Sequence, residues 1–180
     1  DNLLFAGTLY GDIIYHKAPI AMMQLEKTMG EELFQQGVQQ YLKQHCMGNA
    51  DWNELISVFD TLTPVDLKKW SKAWVEQAEM PVMVSKVKLE KDSSANLSIT
   101  QKTKGIEMLM QYSITLIGET SQAVNIDIMH DKSQVKIDLE NGEKDIILLN
   151  SNGLGYGQFI TEQDNLNKLI NSSFVVDDAV

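Results

Sequence analysis

Residues 67–89 read LKKWSKAWVEQAEMPVMVSKVKL, and the periodicity of the chain changes inside this stretch. Leu67, Trp70 and Trp74 recur at spacings of three and four, the stripe of an amphipathic helix. Beyond Met80-Pro81 the apolar positions alternate, which is the period of a strand. Proline has no N–H to donate and disfavours helical geometry in the residue before it, so the switch falls there. The pattern predicts an α+β chain of two domains. Residues 1–79 form an antiparallel helical subdomain. Residues 80–180 form an antiparallel β-sandwich ending in a short C-terminal helix or tail.

Upstream of the switch the helical period persists. Pro19 to Met29 is apolar on nearly every side, with Ile20, Ala21, Met22, Met23, Leu25 and Met29, as expected of a helix covered by something large. Gly30 is suited to end it. Glu31 and Glu32 open a second helix at its positive dipole end, with a stripe of Phe34, Val38, Tyr41 and Leu42. Asp51 and Glu54 stand at capping-box spacing before Trp52, Leu55, Ile56 and Phe59. Thr63-Pro64 reads as the start of the fourth helix, with proline at its first position.

Downstream, Val82 and Val84 give way to Val87 and Leu89, a parity change around Ser85 that predicts a bulge or break. Leu97 and Ile99 alternate with polar residues, as do the even positions from Ile106 to Leu116, then Val124, Ile126 and Ile128. Val135, Ile137 and Leu139 run into Asn141-Gly142, a strong hairpin signal, with Asp145 to Leu149 as the return strand. Gly153 to Gly157 reads as a turn into a strand, and Thr161 to Ile170 as helix or loop.

The net charge is −10, and every one of the 15 basic residues is lysine. Nucleic acid and anionic membrane surfaces are poor partners for such a chain, since both favour basic stripes and arginine forks. No apolar run reaches the roughly 18 residues of a membrane-spanning helix. The start, DNLLFAGTLYG, has no basic or long apolar segment and no initiator Met, so it reads as a piece of a longer chain. Localisation is not legible. Cys46, the single cysteine, forms no internal disulfide.

Chemistry is sparse when read from residues alone. His16, His45 and His130 are dispersed, and no HExxH pattern joins them. His45-Cys46 reads as a structural helix-end pair. GLGYG lacks the lysine and the helix of a phosphate loop. On these grounds Tyr15 is a packing aromatic at a helix start.

The order of the features adds more. Tyr15-His16-Lys17-Ala18 opens a helix that continues through Leu25-Glu26. Gly30-Glu31-Glu32-Leu33-Phe34, Gly37, Tyr41-Leu42, Asn49-Ala50, Asp66-Leu67, Trp70, Trp74 and Pro81 follow. This sequence of motifs resembles the aminopeptidase-N-like zinc metallopeptidases. These carry a Y-x-K-G helix start, a G-E-x-x-F helix and a W-x-x-x-W exit to a proline, and then a β-sandwich. The resemblance runs from about Tyr10 to about Leu169. Ala18 and Pro19 depart from it, because the family has glycine after the lysine. Gly157 and Gln158 depart too, standing where the family has an aromatic residue and arginine.

The resemblance implies that Tyr15 donates its phenol to the oxyanion formed as zinc-activated water attacks a peptide carbonyl. A protonated phenol can do this at neutral pH. It further implies that the parent enzyme holds zinc, that its HExxH lies outside this chain, and that its substrates are peptides shortened from the N-terminus. The chain alone is then expected to hold no catalytic zinc and to hydrolyse nothing. Its first helix is expected to pack on the missing catalytic part, or on a second copy of the chain, leaving Ile20, Met22 or Met23 exposed here. Lys17 and His16 receive no role. The rival reading is a non-catalytic adhesion or carbohydrate-binding sandwich with a helical adaptor, whose signature is aromatics exposed on a sandwich face.

Overall fold

The computed structural model describes residues 11, 13–90, 94–118, 121–128, 132–139 and 145–172. A π-helical turn, Ile13–Lys17, leads into α1 (Ala18–Met29). Gly30 follows at φ +85°, and its N–H donates to Glu26 O at 2.7 Å. That left-handed φ suits glycine and lets α2 (Glu31–Gln44) leave at once in a new direction. Helix α3 (Trp52–Asp60) begins with the predicted capping box. Glu54 N–H donates to Asp51 Oδ1, and Asp51 N–H to Glu54 Oε2, both at 2.9 Å.

Helix α4 (Leu67–Ser71) starts later than its sequence suggested. Thr63-Pro64 lies in a bend, where Thr63 Oγ1 accepts from Val65 N–H at 3.3 Å. Two aspartates hold the true start: Lys69 N–H donates to Asp66 Oδ1 at 2.8 Å and Leu67 N–H to Asp60 Oδ1 at 2.9 Å. Aspartate accepts from helix-start N–H groups more strongly than threonine. A second π-turn, Lys72–Glu76, completes the helical half.

Seven strands follow among the described residues: β1 (Val82–Leu89), β2 (Ser94–Lys102), β3 (Met110–Ile117), β4 (Ser121–Ile128), β5 (Lys132–Asp138), β6 (Ile146–Leu149) and β7 (Gln158–Ile160). One sheet has the order β5-β2-β1-β7 and the other β4-β3-β6. Strand β7 runs parallel to β1, so the first sheet is mixed and not wholly antiparallel as expected. Helix α5 (Gln163–Asn171) is the last element among the described residues, and a helix is one of the two alternatives read from the sequence for 161–170.

Two strand expectations are corrected. Strand β1 pairs with β2 without interruption from Val82↔Lys102 to Leu89↔Ala95, so no bulge occurs at Ser85. The odd-numbered positions face inward up to the strand's end: Met83 and Ser85 are buried, Val87 is half-buried and only the terminal Leu89 is exposed, and Ser85 donates its hydroxyl to Ile160 O at 3.2 Å. A hydrogen-bonded serine in a core slot disguised the alternation. Strands β5 and β6 are also not a hairpin, since β5 pairs with β2 and β6 with β3. The Asn141-Gly142 turn itself lies outside the described residues.

Met83, Leu97 and Ile99 of one sheet share a core with Met110, Tyr112, Ile114 and Leu116 of the other. Tyr112 meets Phe159 edge-on at 5.1 Å between ring centres. Burial raises the Tyr112 pKa well above the ordinary tyrosine value. The helical half joins the same core through Leu25, Phe59, Leu67 and Trp74.

Helix α1 buries Ala21, Gln24, Leu25 and Met29. Gln24 is fully buried. Its Nε2 donates to Gln111 O at 2.6 Å and to Leu154 O at 2.7 Å, and its Oε1 accepts from Gln111 N–H at 2.8 Å. The outer side of the helix carries exposed Met23 and Lys27, while Ile20 and Met22 are half-buried.

Gln24→Met keeps the length of the side chain but strands a buried N–H and two carbonyls. At about 1 kcal/mol or more per unsatisfied group, the expected loss is roughly 2–4 kcal/mol by denaturant unfolding. A loss under about 1 kcal/mol would show that water replaces the amide. At Gly37 in α2 an added Cβ lands on the Phe59 ring. Gly37→Ala is therefore expected to destabilise by about 1–3 kcal/mol in the same measurement.

Candidate active site around Tyr15

The turn that carries Tyr15 follows from Pro19. In an unbroken α-helix the residue at position 19 would donate its N–H to the Tyr15 carbonyl. Proline has no such hydrogen, and its ring crowds that carbonyl. The backbone widens there to π spacing over Ile13–Lys17, a local irregularity often found at functional sites. Pro19 does not delay the helix: Ala18 is its first residue, and Lys17 already has helical φ −74° and ψ −44°.

Tyr15 projects into solvent at 73% exposure, and His16 beside it is exposed. Lys17 turns inward. Its Nζ lies 4.8 Å above the centre of the Tyr156 ring, and burial lowers its pKa from the ordinary lysine value. Tyr156 leans on Trp74 at 6.0 Å, and Trp74 stacks on Trp70 at 5.6 Å and 22°. Trp74 Nε1 donates to Leu109 O at 3.1 Å, and Trp52 Nε1 to Ser71 Oγ at 2.8 Å. A pocket of about 220 Å³ opens beside this stack, lined by Lys17, Ala18, Ala21, Met22, Trp52, Trp74 and Val75. Its wall is mostly apolar, with the lysine at one edge.

The other residues weighed from sequence fall elsewhere. His45 caps the end of α2, with Nδ1 4.0 Å from Glu54 Oε2 and its ring 4.8 Å from Tyr41. Neighbouring Cys46 is exposed. His130 lies outside the described residues. Gly153 (φ +67°) and Gly157 form a turn that delivers Gln158 into β7. Among the described residues, no group of three or more His, Cys, Asp or Glu is placed to hold a metal ion. The described residues alone therefore do not hold the zinc that the resemblance implies for the parent enzyme.

Sequence reasoning missed Lys17, Tyr156 and Gln24. Trp70 and Trp74 read as a helix stripe, not as a stack of rings. Nothing local announced that Tyr156 would complete it, because that contact depends on how the 150–157 turn is folded back.

A prediction concerns the stack itself. Trp74→Phe removes the Nε1–H that serves the Leu109 carbonyl and leaves space beside Tyr156. It is expected to cost about 1–3 kcal/mol in denaturant unfolding. Unchanged stability would mean that the carbonyl finds another donor.

Comparison with known proteins places this geometry in context. Residues 6–74 match the Peptidase family M1 domain. Aminopeptidase N of Streptomyces lividans is 26% identical over 174 residues, covering 87% of this chain and 20% of its own. Tricorn protease-interacting factor F2 of Thermoplasma volcanium is 25% identical over 166 residues, covering 91% of this chain and 20% of its own. The chain thus spans about a fifth of the length of these two relatives. The crystal structure of Legionella pneumophila aminopeptidase A in complex with aspartic acid aligns with a TM-score of 0.55 at 14% identity. That alignment covers 84% of this chain and 18% of the other, and it is a likeness of fold.

Proposed function

We infer, taking this chain as an M1 aminopeptidase-like one, that it forms part of an enzyme removing N-terminal residues from peptides, with Tyr15 as an oxyanion donor. The coarser statement, peptidase kinship, rests on the matched segment and the relatives. The parent would be a zinc enzyme whose metal ligands are supplied from outside the residues described here. Residues 1–79 would be the helical end of its catalytic domain, and 80–180 a β-sandwich domain.

The observation that carries this reading is the display of Tyr15. It is a large aromatic held in solvent on a π-turn, inside the segment that matches the peptidase domain. An exposed phenol on a turn fixed to a packed core can be presented to a substrate bound on a neighbouring surface. As a peptide carbonyl is attacked, its oxygen gains negative charge. A hydrogen bond from the phenol strengthens as that charge develops, so it favours the transition state over the ground state. Exposed Met23 and Val75 and half-buried Met22 suit a surface that the rest of the catalytic domain covers.

The rival reading, a binding module with aromatics on a sandwich face, finds less support. Tyr112 is buried, and Tyr156 and Phe159 pack against the core. Phe174 lies outside the described residues.

Tyr15→Phe in the full-length parent tests the assignment. It is expected to lower kcat about 10²–10³-fold with little change in KM, as loss of one oxyanion donor does. A folded enzyme within about threefold of wild-type kcat returns Tyr15 to a packing role. The 180-residue chain alone, given zinc and aminoacyl-anilides, is expected to show no turnover. Chelator-sensitive hydrolysis that tracks the purified chain would contradict the division of labour proposed here.

A further inference from the structure

We propose that Lys17 is a positioning residue for Tyr15, its ammonium clamped over the Tyr156 ring so that the turn bearing the phenol is tied to the strand half. The proposal rests on the reading of Tyr15 given above.

Three observations carry it. Lys17 is half-buried, and among the described residues its ammonium has no carboxylate partner. The ring of Tyr156, at 4.8 Å, is then the group that offsets its desolvation. The platform beneath is rigid. Tyr156 leans on Trp74, Asn150 pairs with both backbone groups of Gly155 at 2.6 and 3.0 Å, and Leu154 O is held by Gln24. Finally, the clamp acts on the turn that bears Tyr15. Pro19 removes the N–H that would otherwise hold the Tyr15 carbonyl, and Lys17 sits two residues away in the same five-residue turn. A cation fixed to a rigid ring adds a side-chain restraint to that turn. A phenol displaced by about 1 Å loses much of its effect on a developing oxyanion.

The test is a set of variants in the full-length parent, with kcat, KM and thermal melting read for each. Lys17→Met keeps the apolar stem and removes the charge. It is expected to lower kcat about tenfold or more at nearly constant KM. Lys17→Arg, which also seats on an aromatic face, should recover most of that loss. Tyr156→Leu approaches the clamp from the other side and should match Lys17→Met, with the double variant no worse than either. In a Tyr15→Phe background, Lys17→Met should have no further effect on kcat.

A Lys17→Met enzyme with wild-type kcat, an equal fold-loss in the Tyr15→Phe background, or a lowered Tm without a kcat effect would each overturn the proposal. If Lys17→Met does not fold, Tyr156→Leu with and without Tyr15→Phe decides by the same criterion. The Tyr15→Phe single variant separates the two readings. If it is neutral, the role of Tyr15 fails and the clamp has nothing to position. If it is costly while Lys17→Met is neutral, only the clamp fails.

Discussion

The structure depends on side-chain amides that pair with single peptide units where a sheet runs out of strands. Strand β6 pairs with β3 only from Ile114 to Ile117, so the stretch of β3 before it has backbone groups facing no strand on that side. In a β-strand the N–H and C=O of one residue point the same way, and burying them unpaired costs more than a hydrogen bond returns. Gln24 closes the gap at Gln111. The adjoining turn closes it at Ser113, with Asn152 Oδ1 accepting from Ser113 N–H at 3.1 Å and Ser151 N–H donating to Ser113 O at 3.0 Å. The free edge of β6 is treated alike: Asn165 of α5 accepts from Ile147 N–H at 2.9 Å and donates to Ile147 O at 2.8 Å.

The same device explains the segment before β3. Gln77 serves both backbone groups of Ile106, at 2.8 and 3.0 Å, and Gln101 serves both of Met108, at 2.8 and 2.9 Å. Ile106 and Met108 continue the even-numbered alternation of Met110 to Leu116, yet the ladder begins only at Met110. An amide with one donor and one acceptor face reproduces the hydrogen bonds of a neighbouring peptide. The chain therefore keeps strand-like alternation without a strand partner.

Much of the fold was legible because its determinants are local. The capping box at Asp51 and Glu54, the break at Gly30 and the period change at Pro81 all act within a few residues of themselves. The errors arose where a distant partner decides. Thr63-Pro64 carries a helix-start signature, but Asp60 and Asp66 capture the first N–H groups. Asn141-Gly142 suggests a hairpin, but β5 finds β2 and β6 finds β3. Val82, Val84, Val87 and Leu89 imply a parity break, but a serine with a buried carbonyl partner holds the missing inward position. At the candidate site, Tyr15 could be singled out through its motif. Lys17 lies in the same motif, but its contact could not be read there, because the aromatic ring it meets lies in the last turn before β7.

Gln24 joins these threads. The same amide that completes the β3 edge also holds Leu154 O, two residues before Tyr156. The turn it anchors thus presents Tyr156 to Trp74 on one side and to Lys17 on the other. Both π-turns of the helical half meet at this aromatic group, since Lys17 ends the first and Trp74 lies within the second. A widened turn sacrifices regular backbone bonding and persists only where surrounding contacts over-determine it. Here those contacts come from the strand half. The irregular backbone beneath Tyr15 is thus packed, through Lys17, on a ring more than a hundred positions away in the chain.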